Sequence, residues 1–385
     1  MRSSHRTSWN LSANAFAARL EAARAEGRTL LDLTEANPTR VGLAWPAAAL
    51  AEALADPRAA RYEPAPRGLP EARAAVAAYL SGRGEAADPE AILLTASTSE
   101  AYAFLLKLLC DPGDEVLVPA PSYPLLDLLA ELEAVRLVRY PLRYDGTWHA
   151  DLAALEGALG PRTRAVVVVS PSNPAGHLLS TAERTALDRL CAGRDLALIG
   201  DEVFADTALA PAAGVLGVRE ALAFHLSGLS KVCGLPQLKL GWIAAAGPDR
   251  LVRPALERLE VIADAYLSVS GPVQLAAPRL LAGRETFLAP LRARLAANRA
   301  ALAELRETPC GALGSGGGWS AVLRVGETLD EERLCLDLLT HGVVVQPGFF
   351  YDFERNGHLV VSLLPEPEVF RAGLATVAAR LRAAP

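Results

Sequence analysis

The sequence predicts an α/β fold with a mostly parallel sheet, followed by a smaller α+β part. Three observations carry this. Between residues 92 and 246, short runs rich in Val, Ile and Leu alternate with segments of helical periodicity. Those runs are apolar at successive positions, the pattern of strands buried on both faces. Beyond about residue 255 the texture changes to long Ala/Leu/Arg helical stretches set among isolated strands. Helices between buried strands imply βαβ units and hence a parallel sheet.

The elements follow in order. "ILLT" (92–95) precedes the helical "SEAYAFLLKLL" (99–109), and "EVLVPA" (115–120) precedes "YPLLDLLAELE" (123–133). "VRLVRYPL" (135–142) is followed by helical "DLAALEGAL" (151–159), and "RAVVVVS" (164–170) by "STAERTALDRLCA" (180–192). "LALIGDE" (196–202), "AFHLS" (223–227) and "GWIAAA" (241–246) complete the strand set. The C-terminal part reads as a helix over roughly 287–307, strands at 319–325, 342–347 and 358–364, a helix at 330–341 and a terminal helix near 366–382. A helix near 12–26 and "TLLDLTEANPT" (29–39) are expected to pack on that second part. The expected domains are 41–255, and 1–40 together with 256–385. "GSGGGW" (314–319) reads as a turn, since it lacks the spacing of a dinucleotide fingerprint.

Composition excludes several classes. The chain has 385 residues, is 51% hydrophobic and carries a net charge of −6. A core of ordinary density is therefore expected, and no basic run suggests a nucleic-acid partner. No window approaches the roughly 18 apolar residues of a membrane span, and the N-terminus lacks a secretory h-region. The expected location is the cytoplasm. Cys110, Cys191, Cys233, Cys310 and Cys335 are far apart and form no CxxC; they read as free thiols of a reducing compartment. The six histidines show no ligand spacing, so no metal is expected.

Chemistry gathers at the ends of strands, where open α/β sheets bind ligands. "TASTSE" (95–100), "PSNPAG" (171–176), "DEVF" (201–204) and "SGLSK" (227–231) each follow a strand-like run. Lys231 stands among Ser, Gly and Leu, in a chain that otherwise prefers arginine. An amine used as a nucleophile needs poor solvation and a lowered pKa, which small apolar neighbours provide. Asp201, at the tip of a buried strand, needs a cationic or hydrogen-bonding partner. Ser97, Thr98 and Ser99 open a helix ahead of Glu100, a pattern that suits either phosphate binding or simple capping.

The ordered set S-N-P-x-G, D-E-V-[YF] and S-x-x-S-K resembles the class I/II aminotransferases, enzymes of fold type I that depend on pyridoxal 5'-phosphate (PLP). The resemblance runs from "YEPAPRGLPEAR" (62–73) through "DPGDEVLVPAPSYP" (111–124) to the C-terminal part. It implies a large domain with a mostly parallel seven-stranded sheet flanked by helices. It also implies an amino acid and a 2-oxo acid as substrates, exchanged in ping-pong order. Lys231 would hold PLP as a Schiff base (the internal aldimine) and shuttle the proton. Asp201 would pair with the pyridine nitrogen and Asn173 with the ring 3-oxygen. Ser97, Thr98, Ser99, Ser230 and Lys239 would bind the phosphate, and Tyr123 would stack on the ring. Tyr62 would reach the phosphate from the partner subunit of a homodimer.

Three departures from the family pattern qualify this. Phe204 stands where the family usually has tyrosine, which removes one hydroxyl donor. Lys239 replaces an arginine, keeping charge and losing the bidentate fork. Aligning "LVVSLL" (359–364) on Ser362 puts Val360 where the family's carboxylate-binding arginine would stand. Either another cation substitutes, Arg40 and Arg355 ahead of Arg67, with the neutral Asn37 as a further candidate substrate contact, or the substrate lacks an α-carboxylate. A lyase, decarboxylase or amine transaminase on the same fold, and a non-catalytic PLP sensor, are the alternative readings.

Overall fold

The computed structural model describes residues 3–12, 14–307 and 311–383. Strand β1 (Leu31–Asp32) comes first in the chain. The large sheet is then built from β2 (Ile92–Thr95), β3 (Glu115–Ala120), β4 (Arg136–Tyr144), β5 (Trp148–Ala150), β6 (Thr163–Val169), β7 (Ala197–Asp201), β8 (Leu222–Gly228) and β9 (Gly241–Ala246). Its order is β2-β9-β8-β7-β6-β3-β4-β5. The block β4-β3-β6-β7-β8 is parallel, whereas β9 is antiparallel to both its neighbours and β5 is antiparallel to β4.

The sheet therefore has eight strands and not seven. The extra strand is β5, which returns from β4 through Asp145-Gly146-Thr147, with Gly146 at φ 114°. Three residues without alternation give too little pattern to read as a strand. Burial explains the continuous apolar runs. On β7, Ala197 and Ile199 join the core on one face, while Leu198 joins the core on the other.

The C-terminal part adds β10 (Gly311–Ala312), β11 (Ser320–Arg324), β12 (Val343–Val344), β13 (Gln346–Pro347) and β14 (His358–Ser362). Four of them form an antiparallel sheet in the order β10-β11-β14-β13, and β12 pairs in parallel with β1. Helices Glu285–Ala301, Glu331–Thr340 and Pro367–Ala383 share its core, with Phe287, Leu338 and Phe370 fully buried. Position 255 falls inside the helix Asp249–Tyr266, which packs on the helix Thr98–Leu109; the next helix, Gly271–Ala282, packs on Pro70–Gly82. Both helices thus lie against the large sheet.

Cys191, Cys233 and Cys335 are buried free thiols and Cys110 is partly buried; Cys310 lies outside the described residues. Burial pushes the Cys191 thiol up to about 12. No helix among the described residues is long and apolar enough to cross a membrane.

Candidate active site

The order of the parallel block reverses between β3 and β6, and a crevice opens there at the carboxyl ends of the strands. A cavity of about 390 Å³ occupies it. Strand ends deliver its chemistry: Val169 of β6 leads to Asn173, Asp201 ends β7, and Gly228 of β8 leads to Ser230 and Lys231. Strand β2 runs the same way as β8, because both are antiparallel to β9, so the loop 96–99 opens at the same edge. Gly228 allows this edge to close up. A Cβ there would lie 2.9 Å from the Leu240 carbonyl oxygen.

Lys231 Nζ sits 4.9 Å from the Trp319 ring centre and 5.5 Å from that of Phe204. It has no hydrogen bond or ion pair among the described residues. Burial pulls its ammonium below the usual lysine pKa, with Asp201 opposing the shift. Aromatic faces offset only part of the lost hydration. Asp201 Oδ2 accepts from Tyr102 Oη at 3.1 Å, and Oδ1 accepts from the Val203 N–H at 3.3 Å. Burial raises its carboxyl pKa, and those two bonds oppose the rise.

The helix Thr98–Leu109 brings its N-terminus to the same cavity, where Ser97, Thr98, Ser99, Ser230 and Lys239 lie in the wall. The capping reading of this loop is directly visible. The Ser97 hydroxyl caps the helix through the Glu100 N–H at 3.1 Å, and Glu100 Oε2 accepts from the Ala96 N–H at 2.6 Å. The first N–H groups at Thr98 and Ser99 have no intrahelical acceptor and remain for an anion. Asn173 Oδ1 accepts from Ser320 Oγ at 3.2 Å. Tyr123, half exposed, stands in the wall 6.5 Å from the Tyr351 ring.

Other expected residues lie elsewhere. Tyr62 is 80% exposed and lines a second cavity with Leu267 and Val269. Arg40 faces Glu35 at 3.5 Å and Arg355 faces Glu327 at 3.4 Å, both exposed. Asn37 accepts from the Thr39 N–H at 3.0 Å as a turn cap. None of these four is in the wall around Lys231, and the only cations among the described wall residues are Lys231 and Lys239. Val360 is buried in β14, paired with Val322 of β11.

Tyr102, Trp319 and Ser320 are wall residues that the sequence did not single out. Tyr102 lies three and four positions after Ser99 and Thr98 on one helix, so helical spacing could have flagged it. Trp319 and Ser320 close the cavity from the C-terminal sheet, and the turn reading of 314–319 gave no reason to aim them there. Trp319 packs edge-on to Phe204 at 5.3 Å.

The donor set fits a phosphorylated, cationic heteroaromatic aldehyde. A helix N-terminus, hydroxyls and Lys239 suit the phosphate, a part-buried acid suits a ring nitrogen, and an unpaired amine suits the aldehyde. Fold and site together define a PLP enzyme of fold type I. Residues 28–373 match the family model described as aminotransferase class I and II. The chain is 30% identical over 364 residues to the alanine aminotransferase of Mycobacterium tuberculosis, covering 91% of this chain and 84% of that one. It is 28% identical over 271 residues to the glutamate-pyruvate aminotransferase AlaA of Escherichia coli, covering 68% of this chain and 66% of the relative. A solved alanine aminotransferase from Pyrococcus furiosus superimposes with a TM-score of 0.89 over the full length of both chains, at 24% identity. The chain belongs to the class I and II aminotransferase family. It is an aminotransferase with PLP as its cofactor.

Proposed function

We propose that the enzyme moves an amino group between an amino acid and a 2-oxo acid in ping-pong order, with Lys231 as both covalent anchor and proton carrier. The observation that carries this reading is the unpaired, dehydrated amine of Lys231 sharing one cavity with the part-buried carboxylate of Asp201. Bound there, PLP supplies an electron-withdrawing ring that stabilises negative charge at the substrate Cα. Asp201 holds the ring nitrogen protonated, and Tyr102 orients Asp201. Asn173 donates to the ring 3-oxygen; its own oxygen is held by Ser320. Thr98, Ser99, Ser230 and Lys239 bind the phosphate, and Tyr123 covers the ring. With the cofactor bound, the Lys231 amine would be the group in this wall to accept and return the substrate's Cα proton, since burial keeps its pKa below the usual lysine value. Trp319 and Phe204 keep water from that amine.

The same reading extends to assembly. Tyr62 and Leu267, 80% and 71% exposed beside one cavity, suit contact with a second copy, through which Tyr62 would reach the partner's phosphate site. The enzyme then acts as a cytoplasmic homodimer with shared sites. The lack of a wall arginine favours one second reading, a primary-amine donor in place of an α-amino acid.

Amino donors decide between these. The names of the relatives put alanine and glutamate first. Stoichiometric conversion of the cofactor to its amine form by either, reversed by pyruvate or 2-oxoglutarate, is the expected outcome. Conversion by primary amines alone would favour the second reading, and product release without amine-form cofactor would mean lyase chemistry.

A further inference from the structure

Three side chains unused by that chemistry converge behind the cofactor wall. Glu85 follows the helix Pro70–Gly82, Glu202 follows Asp201, and His225 sits on β8 opposite Gly200. Glu202 and Asp201 are consecutive at a strand end and therefore point to opposite faces of the sheet. Each carboxylate commits one oxygen elsewhere. Glu85 Oε1 accepts from Arg83 Nη2 at 3.2 Å, and Glu202 Oε1 accepts from the Val215 N–H at 2.8 Å. The two remaining oxygens turn toward His225, whose Nδ1 lies 3.4 Å from Glu202 Oε2 and 4.0 Å from Glu85 Oε2.

All three donor atoms lie within 4.8 Å of one another. His225 is fully buried; its Nε2 has no hydrogen-bond partner, and its Nδ1 has only the 3.4 Å approach of Glu202 Oε2, while Glu85 Oε2 has none. Gly214 shows that the Glu85 carboxylate has been given room. A Cβ on Gly214 would fall 2.0 Å from Glu85 Oε2, yet its φ of −84° is ordinary, so the missing side chain serves proximity and not backbone freedom. Arg83, whose Nη2 is also 4.0 Å from Glu202 Oε2, offsets one of the two carboxylates. One negative charge and a buried imidazole remain.

We propose that Glu85, Glu202 and His225 form a binding site for a divalent transition-metal ion of the zinc type. Ligands at 2.0–2.2 Å around a tetrahedral ion stand roughly 3.3–3.6 Å apart. The 3.4 Å and 4.0 Å separations reach that spacing with sub-ångström adjustment. One nitrogen and two carboxylate oxygens suit Zn²⁺, with water as the fourth ligand. The Val215 N–H orients the Glu202 ligand, as outer-shell donors do around metals. The ion would lie behind Asp201 and add positive charge on the far side of the cofactor wall.

The test uses the PLP-loaded enzyme, incubated with Zn²⁺, desalted, and measured for metal content. Native protein is expected to retain about one Zn²⁺ per chain and to melt at a higher temperature for it. Glu85→Gln and Gly214→Ala are expected to retain less than about a tenth of that and to lose the thermal shift. The cofactor absorbance band reports that each variant is folded. Native enzyme that desalts free of zinc, or folded Glu85→Gln that keeps the native content, overturns the site.

Discussion

The two walls of the Lys231 cavity are built differently. The wall at the edge of the large sheet concentrates charge and donors: Asp201, Lys231, Lys239, a helix N-terminus and several hydroxyls. The facing C-terminal sheet offers neutral groups. Ala321, Leu323, Leu359 and Val361 of β11 and β14 point into that sheet's own core, so the alternate residues Ser320, Val322, Val360 and Ser362 occupy the other face. A multiply charged cofactor needs fixed charges at strand ends, and the large sheet provides them. The described residues of the wall around Lys231 include no guanidinium, so selectivity there rests on shape, neutral donors and whatever a second copy contributes.

Removing charge from the first wall should cost most. Asp201→Asn is expected to lower kcat by about 10²–10³-fold, the scale of a lost preorganised electrostatic contact. It should also move Lys231. The Asp201 charge raises the pKa of that amine against the larger effect of burial. Without it the pKa falls further, so the pH profile of PLP recombination with cofactor-free enzyme should shift to lower pH. An unshifted profile would mean that the two groups are not coupled.

Adding charge to the second wall is the next largest effect. Val360→Arg places a guanidinium on the face that carries Ser320. For a donor with an α-carboxylate, KM is expected to fall about tenfold or more, since a charge-assisted bond contributes about 1.5–3 kcal/mol. Val360 is buried, so retention of the cofactor band is the check on folding. An unchanged KM in folded protein would remove this face from substrate binding.

Tyr102→Phe probes the first wall more finely. It deletes one hydrogen bond to Asp201, and a loss of roughly three- to tenfold in kcat is expected with little change in KM. Equal losses in both would mean that Tyr102 contacts substrate instead.

The contrast between the walls also marks what the sequence could disclose. Asn173, Asp201, Ser230 and Lys231 each follow an apolar run at a strand end, and the sheet must bring such ends together. Their convergence was therefore legible before any coordinates. Tyr102 was legible in principle through helical spacing. Trp319 and Ser320 were not, because they meet the cavity only through packing between two sheets. The eighth strand, β5, was too short to show a period. Tyr62, Asn37, Arg40 and Arg355 were assigned by resemblance, and one chain's geometry leaves them outside the wall around Lys231. Glu85, Glu202 and His225 escaped notice for another reason. They come from a loop, the residue just past β7 and the middle of β8, and carry no ligand spacing.

The chain has only three lysines, Lys107, Lys231 and Lys239. Lys107 is tied to Glu133, and Lys239 lies in the wall of the same cavity as Lys231. Borohydride reduction of the PLP-loaded enzyme, followed by peptide mapping, therefore has three possible answers. The pyridoxyl mass is expected on Lys231 alone; its appearance on Lys107 or Lys239, with Lys231 unmodified, would contradict the assignment on which the rest depends.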